Sequence, residues 1–122
     1  MDSKIAQAIQ TLITGTEQRK LNWEKAEERK AEFRLKLQHG WVTVGKWRWT
    51  DPSEGAEGTS ADITFTNPEG IPIDSHTFNT QDSREEFYQL ERLHEAARRN
   101  ALRVDESLSG ILGEIESRIR GH

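Results

Sequence analysis

The first part of the chain has the hydrophobic spacing of a helix. Ile5, Ile9, Leu12 and Ile13 recur three to four residues apart, so they share one face of a helix predicted over residues 3–14. A helix with a single apolar face must cover another layer of structure. We therefore expect this segment to pack against elements from later in the chain.

In the middle third the hydrophobic period changes from a helical spacing to two, which is typical of half-buried strands. Four strands are predicted, over residues 31–38, 41–49, 61–66 and 71–78. A turn at His39-Gly40 joins the first pair, and the Asn67-Pro68-Glu69-Gly70 turn joins the second pair. Residues 51–60, rich in Gly and Ser, are predicted to form a flexible acidic loop. Two consecutive hairpins favour an antiparallel sheet.

Residues 24–32 leave two interpretations open. Their composition is typical of a helix, yet Glu24, Glu28 and Glu32 would stack like charges four residues apart. We favour an irregular segment that leads into the first strand.

The last third returns to helical spacing. Ser83 and Glu86 form a predicted capping box at the start of a helix that runs to about residue 101. The predicted apolar stripe of this helix consists of Phe87, Leu90, Leu93, His94, Ala97 and Ala101. Asp105 is predicted to cap a final helix over residues 106–119. The stripe of the final helix consists of Leu108, Ile111, Leu112, Ile115 and Ile119.

These elements predict a single α+β domain over residues 1–122, in the order α–β–β–β–β–α–α. A four-stranded antiparallel sheet would pack against the N-terminal and C-terminal helices. Strand 71–78 is expected at an edge, because Pro72 lacks a backbone N–H for pairing.

Composition narrows the classes of function. The chain carries a net charge of −4 and no segment of it is strongly basic, which argues against binding to duplex DNA. It contains no cysteine, so disulfides, thiol catalysis and Cys-ligated zinc are excluded. No apolar run is long enough to cross a membrane, and no secretory signal is recognisable. We expect a cytoplasmic protein without a cofactor.

Tryptophan is the first candidate for a binding function. Trp23, Trp41, Trp47 and Trp49 lie close together in the sequence. If Val42 and Val44 face the core, the last three indoles point to the other face of the sheet, where they could stack on a base or contact a partner. Alternatively, the indoles lie in a covered layer of the sheet or in a homodimer core, which is the interpretation that we favour.

Arginine is the second candidate. Arg98, Arg99 and Arg103 lie on or just after one helix, as does Arg92. Guanidinium groups fit phosphate or carboxylate through paired hydrogen bonds. The simpler interpretation, which we favour, is that they complement the helix dipole and pair with neighbours such as Glu95.

The chain has few signs of catalytic or metal chemistry. His39, His76, His94 and His122 lack the spacing of metal ligands, although Asp74 and His76 would share one strand face. No nucleophile motif and no glycine-rich phosphate loop occurs. We therefore predict no metal site, no catalytic residue and no enzymatic activity.

The final helix also carries small residues. Ser109, Gly113 and Ser117 repeat every four residues, with Gly110 beside them. The pattern indicates either tight packing against another helix, for example across a dimer, or a helix with frayed ends.

Several motifs resemble those of a group of small, largely uncharacterised bacterial proteins, many of them linked to phages or other mobile elements. The first is T-x-x-x-K-L-x-W, here Thr16 to Trp23, and the second is the Asn67–Gly70 hairpin. The third is L-H-E-A-A-R-R-N-A-L-x-V-D over residues 93–105, followed by an L-x-x-I/L-L final helix. The resemblance covers nearly the whole chain and implies an architecture rather than an activity.

Two hypotheses of function follow. In the first, the protein is a non-enzymatic binding or interaction module, a homodimer or higher oligomer with a possible protein partner. Either the Trp-rich hairpin or the last helix would form its interface. In the second, it is a phage protein that sequesters a small nucleotide signal, with Trp23, Trp47 or Trp49 stacking on the base and Arg98, Arg99 or Arg103 holding the phosphates.

Overall fold

A computed structural model describes residues 3–26 and 31–121 of the chain. The helices are α1 (Ser3–Glu17), α2 (Arg84–Ala101) and α3 (Val104–Ile119). The strands are β1 (Trp23–Lys25), β2 (Glu32–Leu37), β3 (Gly40–Asp51), β4 (Ala56–Thr66) and β5 (Pro72–Asn79). The α+β class, the antiparallel sheet and the three helices are confirmed.

The sheet has five strands in the order β1-β2-β3-β4-β5, so the prediction of four strands is wrong. The additional strand is β1, which pairs Trp23 with Leu35 and Lys25 with Phe33. Three residues are too few to establish a period of two, so the pattern gave no sign of it. Of the segment left open between residues 24 and 32, residues 27–30 lie outside the described residues.

The turn between β2 and β3 lies one residue earlier than predicted. Leu37 pairs with Gly40, so Gln38 and His39 form the turn and Gly40 belongs to β3. Gly40 has a φ of 142°, and a Cβ at this position would lie 2.1 Å from the carbonyl oxygen of Thr66. Only glycine fits this close approach of two backbones.

The hairpin of β3 and β4 is longer than the hydrophobic pattern indicated. β3 and β4 pair from Trp41–Thr66 to Asp51–Ala56, and only residues 52–55 connect them. The predicted loop over residues 51–60 is therefore wrong. Its small residues belong to β4, where they lie beside the tryptophans of β3.

The predicted turn at Asn67 is confirmed and connects β4 to β5. The backbone N–H of Gly70 donates to the carbonyl of Asn67, and the Asn67 side chain accepts from the N–H groups of Glu69 and Ile71. β5 begins at Pro72 and lies at the edge of the sheet, as expected.

One face of the sheet carries the hydrophobic core. Val42, Val44 and Ile63 are buried on this core face, and α1 adds Ile9 and Ile13 to the same cluster. α2 contributes the buried residues Phe87, Leu90, Leu93, His94 and Ala97. The predicted stripes of α1 and α2 are thus the stripes that form the core.

The start of α2 differs from the predicted capping box. Ser83 occupies the N-cap position, but its side chain makes no capping hydrogen bond. Its Oγ instead accepts from the backbone N–H of Asn79 at 2.8 Å. Ser83 therefore fixes the end of β5 rather than the first turn of the helix.

The final helix lies apart from the core. α3 begins at Val104 and has the predicted apolar stripe on one face, yet none of its described residues is buried. A Cβ at Gly110 or Gly113 would meet no atom within 4 Å, so none of the other described elements packs tightly on these two glycines.

No helix within residues 3–26 and 31–121 combines the length and the apolar character that crossing a membrane requires.

Candidate binding surfaces

The face of the sheet opposite the core carries three of the four tryptophans. Val42 and Val44 are buried on the core face, so the alternating residues Trp41, Trp47 and Trp49 point to the other side. None of the described helices packs on that side, because the helical contacts of the chain involve the core face. We call this side the open face.

The three indoles differ in what surrounds them. Trp41 is half-buried, and its ring reaches the β4–β5 turn, where it would lie 3.8 Å from a Cβ on Gly70. Trp49 is half-buried beside Gly58. Trp47 is 40% exposed and is the indole most available to a partner.

Gly58 holds Trp49 close to the sheet. A Cβ at Gly58 would lie 2.5 Å from Cζ2 of the Trp49 ring and 2.9 Å from Oγ1 of Thr80. Since a real Cβ does not approach a ring so closely, only glycine at this position lets the indole lie flat over β4. This packing becomes visible only once β3 and β4 are paired, so the sequence alone did not show that residues 56–60 form a strand.

The charges on the open face are mixed. Glu24 on β1 contacts Arg34 Nε at 3.0 Å and Lys36 Nζ at 3.4 Å. The hydrogen bond from Arg34 lowers the pKa of the Glu24 carboxyl. Asp62 and Glu32 lie on either side of Gly45 on the same face. The open face is therefore not a basic surface.

Trp23 has a different environment from the other tryptophans. Its side chain is 5% exposed, and its indole N–H donates to Oγ1 of Thr16 at 2.9 Å. Its backbone N–H donates to the side-chain oxygen of Asn100 at 2.6 Å. In this position Trp23 joins α1, β1 and α2, and its ring offers no free surface for stacking.

The predicted arginines all have acidic partners. Arg98 contacts Glu95 at 2.7 Å, and this pair lowers the pKa of Glu95 and raises that of Arg98. Arg99 binds Asp105, and Arg103 lies 3.9 Å from Glu106. These contacts agree with the interpretation that the arginines pair with neighbouring carboxylates and do not form a preformed site for an anionic ligand.

Sequence reasoning missed a cleft between α1, α2 and the start of α3. Its volume is about 730 Å³ and its wall includes Tyr88, Asn22 and Asn100. Its cationic lining residues are Arg19, Lys46, Arg92, Arg99 and Arg103. Its acidic lining residues are Glu17, Glu91, Glu95, Asp105 and Glu106. These residues are distant in sequence, so no local motif could have joined them.

Ion pairs run across this cleft. Arg92 contacts Glu17 at 3.2 Å, linking α2 to α1, and Lys46 contacts Glu91 at 3.0 Å, linking β3 to α2. Asp105 lies 3.6 Å from Arg19 in addition to its bond with Arg99. An anionic ligand would have to displace carboxylates from these cations.

The structure does not bring Trp47 and Trp49 together with the arginines. Trp47 and Trp49 lie on the open face, whereas Arg98, Arg99 and Arg103 lie on helical elements on the side of the core face. The aromatic ring in the wall of the cleft is that of Tyr88, which is 53% exposed; Arg99 and Arg103 line the same cleft, whereas Arg98 does not. The aromatic side chain of this cleft is therefore Tyr88, and neither Trp47 nor Trp49 lines it.

Of the described histidines, His94 is part of the core. His94 is buried against the edge of the Phe33 ring, and its Nε2 lies 2.8 Å from the carbonyl oxygen of Ala31. Burial lowers the pKa of His94. His76 contacts Asp74 at 3.0 Å on β5, and His122 lies outside the described residues. Among residues 3–26 and 31–121, no group of three or more His, Asp or Glu side chains could hold a metal ion.

The third surface is the stripe of α3. Its five apolar side chains, from Leu108 to Ile119, are 46–79% exposed. They form one continuous apolar face on a helix whose contacts with other elements, among the described residues, are with α2, and whose first turn is held by the bond of Asp105 with Arg99.

Comparison with protein-family models finds no match for the chain, and neither the curated proteins nor the solved structures include one with significant similarity.

Proposed function

We propose that this protein is a non-enzymatic interaction module that works as a homo-oligomer in the bacterial cytoplasm. The observation that carries the proposal is the apolar stripe of α3, which is exposed along its whole length. Contiguous apolar surface on a folded chain is typical of an interaction site. The resemblance to proteins linked to phages and mobile elements gives the expected origin.

The stripe favours association for a simple physical reason. Each Å² of apolar surface removed from water stabilises a complex by about 25 cal/mol before the costs of association. The core of the chain does not provide this stabilisation for the stripe residues Leu108, Ile111, Leu112 and Ile115, because they lie outside it. Burial against another polypeptide is the available way to remove them from water.

The open face offers a second surface, which we assign to a protein partner. An exposed tryptophan is the side chain most often found at the energetic centre of protein interfaces, and Trp47 has that exposure. The mixed charges around Glu24, Arg34 and Lys36 favour a protein over a nucleic acid, whose phosphates require a surplus of cations.

Sedimentation velocity of the full chain, over about 1 to 200 µM, tests the self-association. We expect a discrete oligomer whose population grows with concentration, since a short helical interface gives an affinity in the micromolar range. The variant Ile111→Glu should remain monomeric. Its matched control is Gly110→Glu, which adds the same charge on the side of α3 away from the stripe, where a Cβ meets no atom within 4 Å, and should associate like the wild type. A monomer at every concentration would refute the proposal.

A second candidate function is the sequestration of a nucleotide-type signalling molecule, as in a phage protein that counters host defence. The cleft that contains Arg19, Arg92, Arg99 and Tyr88 favours it, because guanidinium groups and an aromatic ring are the side chains that bind phosphates and bases.

Thermal shift measurements with cyclic nucleotides and cyclic ADP-ribose isomers test this candidate. A bound ligand should raise the melting temperature of the wild type and of a Trp47→Ala control, but not that of Arg99→Gln. No shift with any of these compounds, together with no co-purified nucleotide in native mass spectrometry, would count against it.

A further inference from the structure

The apolar residues of α3 are symmetric about the middle of the helix. Reversing the sequence about the point between Ile111 and Leu112 exchanges Leu108 with Ile115 and Val104 with Ile119. Each apolar position is therefore matched by another apolar position at the same distance from the midpoint. A helix that packs along a sheet or a larger groove has no need of such symmetry.

The remaining residues of the helix follow the same symmetry. Gly110 exchanges with Gly113, and Asp105 exchanges with Arg118. Each glutamate of α3 exchanges with a serine: Glu106 with Ser117, Ser107 with Glu116, and Ser109 with Glu114. In an antiparallel pair with this register, no acidic residue lies at the same level as another acidic residue.

We infer that α3 pairs with α3 of a second copy in antiparallel orientation, with a two-fold axis that passes between Ile111 and Leu112. The inference rests on the proposed homo-oligomer and assigns its interface. In a two-fold pair, a residue that contacts a second residue across the interface is contacted in the same way in return. The symmetric stripe therefore meets apolar side chains along its entire length, from Val104 to Ile119.

The charges at the two ends of α3 favour the same orientation. The first turn contains Asp105 and Glu106, and the last turn contains Arg118. Antiparallel pairing brings the acidic end of each helix to the basic end of the other and opposes the two helix dipoles. In a parallel pair in register, each charged residue would lie level with the same residue of the second copy, so like charges would meet. This applies to Asp105, Glu106, Glu114, Glu116 and Arg118.

The described part of the chain does not cover the stripe of α3. None of the described residues of α3 is buried, and the ion pair of Asp105 with Arg99 anchors only the start of the helix. At 16 residues the helix is about 24 Å long, so the contact is a small interface. Its expected dissociation constant lies in the micromolar range.

Spin-label distances distinguish the two orientations. The chain has no cysteine, so Gly113→Cys within α3 and Arg120→Cys directly after α3 each introduce one label, on the side away from the stripe. With a rise of 1.5 Å per residue, antiparallel pairing offsets the two labels along the helix by about 5 Å at position 113 and about 26 Å at position 120. Parallel pairing offsets neither. The pair at position 120 should therefore be clearly farther apart than the pair at position 113.

Sedimentation of each labelled variant at the concentration used establishes that it associates like the wild type. Equal distances at the two positions in an associated sample would overturn the antiparallel pairing and leave the proposed homo-oligomer intact. An associated sample with no dipolar signal between labels would place the interface elsewhere and overturn it as well. A monomeric sample at all concentrations would refute the pairing and the proposed function together.

Discussion

Helices α2 and α3 follow each other in the chain and have comparable apolar stripes. The stripe of α2 is buried in the core, whereas the stripe of α3 is exposed to solvent. Leu90 and Leu93 of α2 are fully buried, whereas Ile111 and Leu112 of α3 are more than half exposed. Arg103 separates the two helices with a φ of 50°, a left-handed conformation that no helix interior contains. The chain thus leaves the direction of α2 before α3 begins, and α3 does not reach the sheet.

The difference between the two helices shows what an amphipathic pattern predicts. A stripe indicates that one side of a helix is to be buried. The stripe does not show whether the layer that covers it belongs to the same chain or to another chain, because burial within a chain and burial between chains require the same spacing of leucine and isoleucine. In this protein the sheet covers α1 and α2, and we propose that a second copy covers α3.

The largest expected effect comes from truncating the two stripes in turn. Leu90→Ala in α2 should lower the free energy of unfolding by about 2–5 kcal/mol, because it opens a cavity in the core. Leu112→Ala in α3 should change it by less than about 0.5 kcal/mol, since an exposed side chain leaves no cavity. Urea denaturation at a protein concentration below the association range measures both. A loss of several kcal/mol for Leu112→Ala would mean that α3 packs on its own chain.

His94 sharpens the comparison, because it is a titratable residue within the buried stripe of α2. His94→Gln should cost about 1–3 kcal/mol at pH 7, as it removes the contact with Phe33 and disturbs the hydrogen bond to Ala31. Urea denaturation measures this cost, with His39→Gln in the exposed first turn as the control.

The pH dependence of His94 has a definite sign. Burial lowers the pKa of His94 in the folded state, so folding favours the neutral ring. Its contribution is complete above the ordinary pKa near 6.5 and is lost as the pH falls through the lowered folded value. The difference in unfolding free energy between the wild type and His94→Gln should shrink over that range. A difference that is constant with pH would contradict the lowered pKa.

A smaller effect than that of Leu90→Ala or His94→Gln is expected at the junction of the two helices. Asp105→Asn removes the ion pairs with Arg99 and Arg19, and the Asp105 side chain is 58% exposed. Exposed pairs contribute up to about 1 kcal/mol, so the midpoint of urea denaturation should move only slightly. Salt should reduce the difference between Asp105→Asn and the wild type. A salt-independent loss above about 2 kcal/mol would show that Asp105 supports the fold itself.

The sequence predicted the elements in which the hydrophobic period was long enough to be recognised. The stripes of α1 and α2 and the alternation around Val42 and Ile63 identified the core. β1 was missed because three residues carry no period. The beginning of β4 was missed because Gly58 and its small neighbours resemble a loop until the ring of Trp49 is placed on them.

The candidate sites were harder to predict than the fold. Alternation alone placed Trp41, Trp47 and Trp49 on one face, because strand geometry fixes sides. It could not distinguish Trp23, whose burial depends on Thr16 and Asn100 from other elements. The cleft beside Tyr88 was not predictable, since α1, α2 and α3 each contribute only part of its wall.

The strand order of the sheet has a consequence for how the chain folds. Since each strand pairs with the next strand in sequence, the sheet can form from local hairpins that close only short loops. The hydrogen bond from Trp23 to Asn100 spans 77 residues and closes the two halves of the chain around the core. We expect such long-range docking of the terminal segments to limit the folding rate, while the hairpins assemble early.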